Sequence, residues 1–124
     1  MVDADFVHFV GVRGLDMECC TSITDAAFVH LKGIHTLDMY GCYQPTITDS
    51  AFVHLEGVVD LSMMGCAQDT ITDEAFKHLK RVRTLNLQEC NQNSITEAAL
   101  IILGMHGTLR SITLRDGRVL KKLQ

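Results

Sequence analysis

The chain lacks any apolar run approaching the roughly 18 residues of a membrane-spanning helix, so no membrane association is expected. Its opening, MVDADFVHFV, carries acids where a secretory leader carries basic residues, so secretion is not expected either. No cysteine belongs to a CxxC pair, and there is no phosphate-cradling loop, serine nucleophile elbow or pair of unique carboxylates. Those absences argue against an enzyme. Aromatic residues are 6% of the chain and do not interleave with basic ones, which argues against a nucleic-acid partner. Disorder is disfavoured too, since 47% of the residues are hydrophobic against 21% charged. A length of 124 residues fits one domain.

What the chain has is repetition. ITDAAFVHLKGIHTLDMYGCYQPT is followed by ITDSAFVHLEGVVDLSMMGCAQDT, then by ITDEAFKHLKRVRTLNLQECNQNS, and ITEAALIIL opens another copy. The copies start at Ile23, Ile47, Ile71 and Ile95, 24 residues apart each time. A unit of this size cannot bury its own apolar face, so such a period predicts a stack of units. The expected repeats are residues 1–22, 23–46, 47–70, 71–94 and 95–124, the last including a C-terminal cap.

Each copy mixes two periodicities. Ala27, Phe28 and Leu31 share a helical face, Thr24 is the expected N-cap with Asp25 in the first turn, and Gly33 is placed to end the helix. Leu37 and Met39 then alternate with Thr36, Asp38 and Tyr40, the pattern of a half-buried strand. Overlaying the copies gives inward strand pairs Leu15/Met17, Leu37/Met39, Leu61/Met63, Leu85/Leu87 and Ile112/Leu114. The helix anchors are Phe6/Phe9, Phe28/Leu31, Phe52/Leu55, Phe76/Leu79 and Leu100/Leu103. A small column runs through Ala27, Ala51, Ala75 and Ala99, and Asp5 breaks it where the first copy faces an open end.

Departures fall at the ends, where a stack needs caps. Leu15 to Leu37 is 22 residues and Leu85 to Ile112 is 27, which extends the last helix or its exit through residues 104–108. Asp116-Gly117 between Leu114 and Val119 signals a two-residue hairpin, with Lys121 and Lys122 discouraging further pairing. A short terminal helix is the alternative.

Ile34, Leu37, Met39 and Cys42 stand at the spacing L-x-x-L-x-L-x-x-N/C, as do Val58, Leu61, Met63 and Cys66, and Val82, Leu85, Leu87 and Cys90. Val12, Leu15, Met17 and Cys20 follow it with a shorter loop. Together with the Ile-Thr-Asp helix start, the chain resembles the cysteine-containing leucine-rich repeat class. The resemblance implies an α/β, right-handed solenoid of about five helix–strand repeats, with a parallel concave sheet and convex helices. It also implies a binding role, as in the substrate-recognition part of F-box ubiquitin-ligase adaptors.

Cys20, Cys42, Cys66 and Cys90 occupy one column, so they form a line along the stack rather than the convergent four-ligand set of a zinc site. They read as buried thiols donating to loop carbonyls, and free thiols in odd number fit a reducing, intracellular and cytoplasmic setting. Cys19, in the strand's outward register, is the expected reactive thiol. His8, His30, His54 and His78 line a helix flank as groove-covering side chains, a weak metal or pH-sensing pair being the other reading. The repeated threonines and aspartates read as caps, because catalytic groups are singular. No cofactor and no metal are expected.

The outward strand positions vary where the inward ones repeat. They include Asp16, Asp38, Asp60, Ser62 and Asn86, then Glu18, Tyr40, Met64, Gln88 and Arg115. They predict a recognition surface for a protein partner, centred on Tyr40 and Met64. The alternative is a structural subunit that uses the ends or the outward valines Val7, Val29 and Val53, with Ile101 beyond. Charge is split along the chain. Residues 1–62 hold two basic and nine acidic groups, a net of −7, and residues 63–124 hold nine basic and six acidic, a net of +3. The expectation is a monomer with weak head-to-tail attraction at low ionic strength.

Overall fold

The computed structural model describes residues 1–123. Four short 3-10 helices open the first four units: η1 Asp3–Phe9, η2 Asp25–Leu31, η3 Asp49–Leu55 and η4 Asp73–His78. The fifth unit opens with an α-helix, α1 Glu97–His106. A three-residue strand follows each helix: β1 Gly14–Asp16, β2 Thr36–Asp38, β3 Asp60–Ser62, β4 Thr84–Asn86 and β5 Ser111–Thr113. A sixth, β6 Val119–Lys121, returns beside β5. The protein is therefore α/β, with one open six-stranded sheet in sequence order, parallel from β1 to β5 and antiparallel at β6.

The winding changes at the last unit although the apolar spacing of the helices does not. A 3-10 helix has three residues per turn, so Phe28 and Leu31 eclipse on one face, as do Phe52 and Leu55. All four are buried. In α1 the buried pair is Ala99 and Leu103, four apart, which is the α spacing. Leu100, expected as an anchor in the column of Phe28, is instead 41% exposed. The wider α turn directs it sideways, and among the described residues no further helix packs against that flank.

Thr24, Thr48, Thr72 and Thr96 cap their helices, each hydroxyl accepting the N–H two residues on at 3.1 Å. Gly33 follows η2 with φ +84°, a left-handed turn that an L side chain resists. Leucine pairs with leucine across the sheet from β1 to β4 (Leu15, Leu37, Leu61, Leu85), and Ile112 continues the row. Behind them the core is a set of columns: Phe6, Phe28, Phe52 and Phe76; Met17, Met39, Met63 and Leu87; Ile23, Ile47, Ile71 and Ile95. The first unit is looser, with Phe9 and Leu15 only partly buried.

The C-terminal hairpin forms, but its loop is longer than the two residues read from Asp116-Gly117. Gly117 N–H donates to Leu114 O at 2.9 Å and Leu114 N–H to Arg118 O at 2.8 Å, with Gly117 at φ +90°. This is a tight turn followed by a left-handed residue, which bulges the hairpin by one position. Among the described residues no helix is long and apolar enough to cross a membrane.

Candidate interaction face

Strand alternation decides which side chains reach the open face of the sheet. In each unit the central strand residue and the apolar residue two on (Leu37 and Met39, Leu85 and Leu87) point inward, so the residue between them and its neighbours at ±2 point out. Asp16 and Asp60 are exposed, while Asp38, Ser62 and Asn86 are half-buried. Three residues of this polar row also shape the turn that leaves the strand. Asp16 Oδ1 accepts the Glu18 N–H at 3.0 Å, Asp38 Oδ1 that of Tyr40 at 2.9 Å, and Asn86 Oδ1 that of Gln88 at 2.9 Å.

At the next outward position stand Glu18, Tyr40, Met64 and Gln88, on consecutive units. Tyr40 is 38% exposed and Met64 is half-buried beside it. Asp16, Glu18 and Asp38 bring a carboxylate oxygen each within 4.8 Å of one another, so the first two units carry concentrated negative charge. Arg115 leaves the row. Its guanidinium donates to the Ile95 carbonyl, the bond that Thr46, Thr70 and Ser94 make to Ile23, Ile47 and Ile71 in the earlier units. It closes the end of the stack instead of facing a partner.

The thiols lie behind the sheet. Cys42, Cys66 and Cys90 donate to the carbonyls of Met17, Met39 and Met63 at 3.2, 3.1 and 3.0 Å. Burial pushes the Cys42 and Cys90 thiols up to about 11, and it raises Cys66 further still. These groups stay protonated at neutral pH, and a protonated thiol is a poor nucleophile and ligand. Cys19 is exposed, but in the turn beyond the strand, at φ +58°, not in the strand's outward register. It takes the left-handed position that Gly41 and Gly65 hold at φ +73° and +78°. His30, His54 and His78 are half-buried on the helix flank, and His8 is exposed.

Two polar ladders were not anticipated. Asp3, Asp25, Asp49 and Asp73 each accept both the N–H and the hydroxyl of the next unit's capping threonine, at 2.7 and 2.6 Å. Gln68 Nε2 donates to Cys42 O and Gln44 O, and Gln92 Nε2 to Cys66 O and Gln68 O, all between 2.9 and 3.1 Å. The signal was present in Gln44, Gln68 and Gln92, polar residues that recur at the repeat period where a free loop residue would vary. No protein-family model matches the chain, and no curated protein matches it significantly.

Proposed function

We propose that the chain is a cysteine-containing leucine-rich repeat module of right-handed sense that binds a protein partner through its strand face, without catalysis. Strands sit about 4.8 Å apart and helices about 8–10 Å, so a stack of such units bends with its strands on the concave side. One observation carries the reading. The inward strand columns stay apolar from unit to unit, whereas the outward row runs Glu18, Tyr40, Met64, Gln88 and sets a tyrosine beside a methionine on neighbouring strands. An aromatic and a flexible thioether beside clustered carboxylates suit a segment that offers one apolar and one basic side chain. The free thiols fit a reducing, intracellular compartment. Recognition of substrates for a ubiquitin-ligase adaptor is one such role.

A second reading, a subunit held in an assembly through its helices, is favoured by Val7, Val29 and Val53, which are 53%, 47% and 47% exposed in a row. A photo-cross-linking residue placed at Tyr40 in one variant and at Val29 in another separates the two. Partner adducts at position 40 and none at 29 support the strand face. Adducts at 29 alone assign the interaction to the helices.

A further inference from the structure

The two ends of the stack are unlike. The joints repeat a small set of bonds: aspartate to threonine at all four, and through the fourth unit a thiol to the preceding methionine carbonyl and a hydroxyl to an isoleucine carbonyl. At the last unit these run out. Glu97 stands in the aspartate position with Leu120, not a threonine, 23 residues on, and Gly117 stands where the cysteine would be. Between the start of α1 and the 114–118 turn a cavity of ≈ 520 Å³ opens onto Leu87, Ile95, Leu100 and Leu114, with Arg118 at its rim. In the earlier units the corresponding space is filled by the next isoleucine and the next helix. Next along the chain, β6 is the last strand of the sheet among the described residues, carrying Lys121 with Lys122 just after it.

Among the described residues β1 is the other edge strand of the sheet. It carries Asp16 and leads into Glu18, and η1 beside it carries Asp5. Val2 and Val10 are exposed on the same unit, 51% and 63%. An apolar groove with a basic rim therefore lies at one end, and an acidic edge with exposed valines at the other.

We propose that the C-terminal groove and the β6 edge receive the β1–η1 end of a second copy, giving open head-to-tail association. Strand β1 runs parallel to β5 and so antiparallel to β6, and pairing the two edges with Asp16 of one copy opposite Lys121 of the next leaves Glu18 a diagonal neighbour of the same lysine, with Lys122 just beyond the strand adding to the basic edge. The joint is heterologous, so it extends as a chain and does not close into a dimer. The net charges of −7 and +3 on the two halves favour this polarity over tail-to-tail contact. Because the attraction is between exposed charges, added salt weakens it.

Sedimentation of the full chain over a concentration and salt series tests the proposal. The expected result is association that weakens about tenfold or more between low and high salt. Glu18→Lys alone leaves the Asp16 turn intact and weakens association, and D16K/E18K abolishes it. K121E/K122E is monomeric, yet mixing it with D16K/E18K restores assembly, because each acidic tail then meets a basic head. Leu100→Lys, a change at an exposed site, also blocks assembly. Circular dichroism confirms that each variant is folded. A wild-type chain that stays monomeric at about millimolar concentration in low salt overturns the proposal. So does D16K/E18K associating as the wild type does, which is the signature of tail-to-tail contact, or a mixture of the two variants that remains monomeric.

Discussion

Asp49 accepts both the backbone N–H and the hydroxyl of Thr72, at 2.7 and 2.6 Å. The acid sits in the first turn of η3 and the threonine caps η4, so one unit's helix start is locked to the next. Asp49→Ala removes a charged acceptor from two donors, and hydrogen bonds to charged groups contribute about 1.5–3 kcal/mol. Urea unfolding is expected to show a loss of about 2 kcal/mol. In a double-mutant cycle with Thr72→Val the two losses should fall short of additive. Full additivity would show that the pair is not coupled.

Gln68→Ala strips a donor from the buried Cys42 carbonyl and the part-buried Gln44 carbonyl. A buried acceptor left without a partner costs about 1–3 kcal/mol. The same change at Asn91, which is exposed in the corresponding loop of the next unit, is expected to be near neutral. Equal effects at the two positions would remove the glutamine ladder from the stabilising interactions.

Cys66→Ala is expected to cost about 1–2 kcal/mol, as a small core truncation does. Zinc added to the wild type should leave its melting temperature unchanged. Stoichiometric zinc binding with a rise in melting temperature would contradict a structural ladder.

The same thiols predict alkaline sensitivity. Burial holds Cys42 and Cys90 at about 11, above the ordinary value of 9.0, so the folded state keeps protons that the unfolded state gives up. Their contribution is complete below 9.0 and declines as pH rises from there to about 11. Urea midpoints measured across that window should fall, and fall less steeply in Cys42→Ala/Cys90→Ala. An identical slope in the variant would assign the loss to other groups.

Much of this architecture is legible in the sequence because its columns are apolar and periodic. Leu37, Leu61 and Leu85, or Phe28, Phe52 and Phe76, declare both the strand and the helix face of each unit. Polar columns are less transparent. Asp25 and Thr48 read as caps of their own helices, and only the stacking distance shows that one binds the other. Gln68 looks like a solvated loop residue until its neighbours cover it on both sides. Arg115 occupies an outward strand position but is drawn to the Ile95 carbonyl, since the last unit has no threonine to serve it. Leu100 is misplaced by the switch from 3-10 to α winding, which the sequence of α1 does not announce.

The central claim is that a protein partner is held on the strand face by Tyr40 and Met64. Calorimetric titration of a cross-linked and identified partner into the wild type and into Tyr40→Ala/Met64→Ala tests it most directly. Neither side chain belongs to the buried core, so the melting temperature should hold while the affinity falls by about 30-fold or more, the loss of roughly 2 kcal/mol expected of a central anchor. Unchanged affinity in a folded double variant would contradict the account.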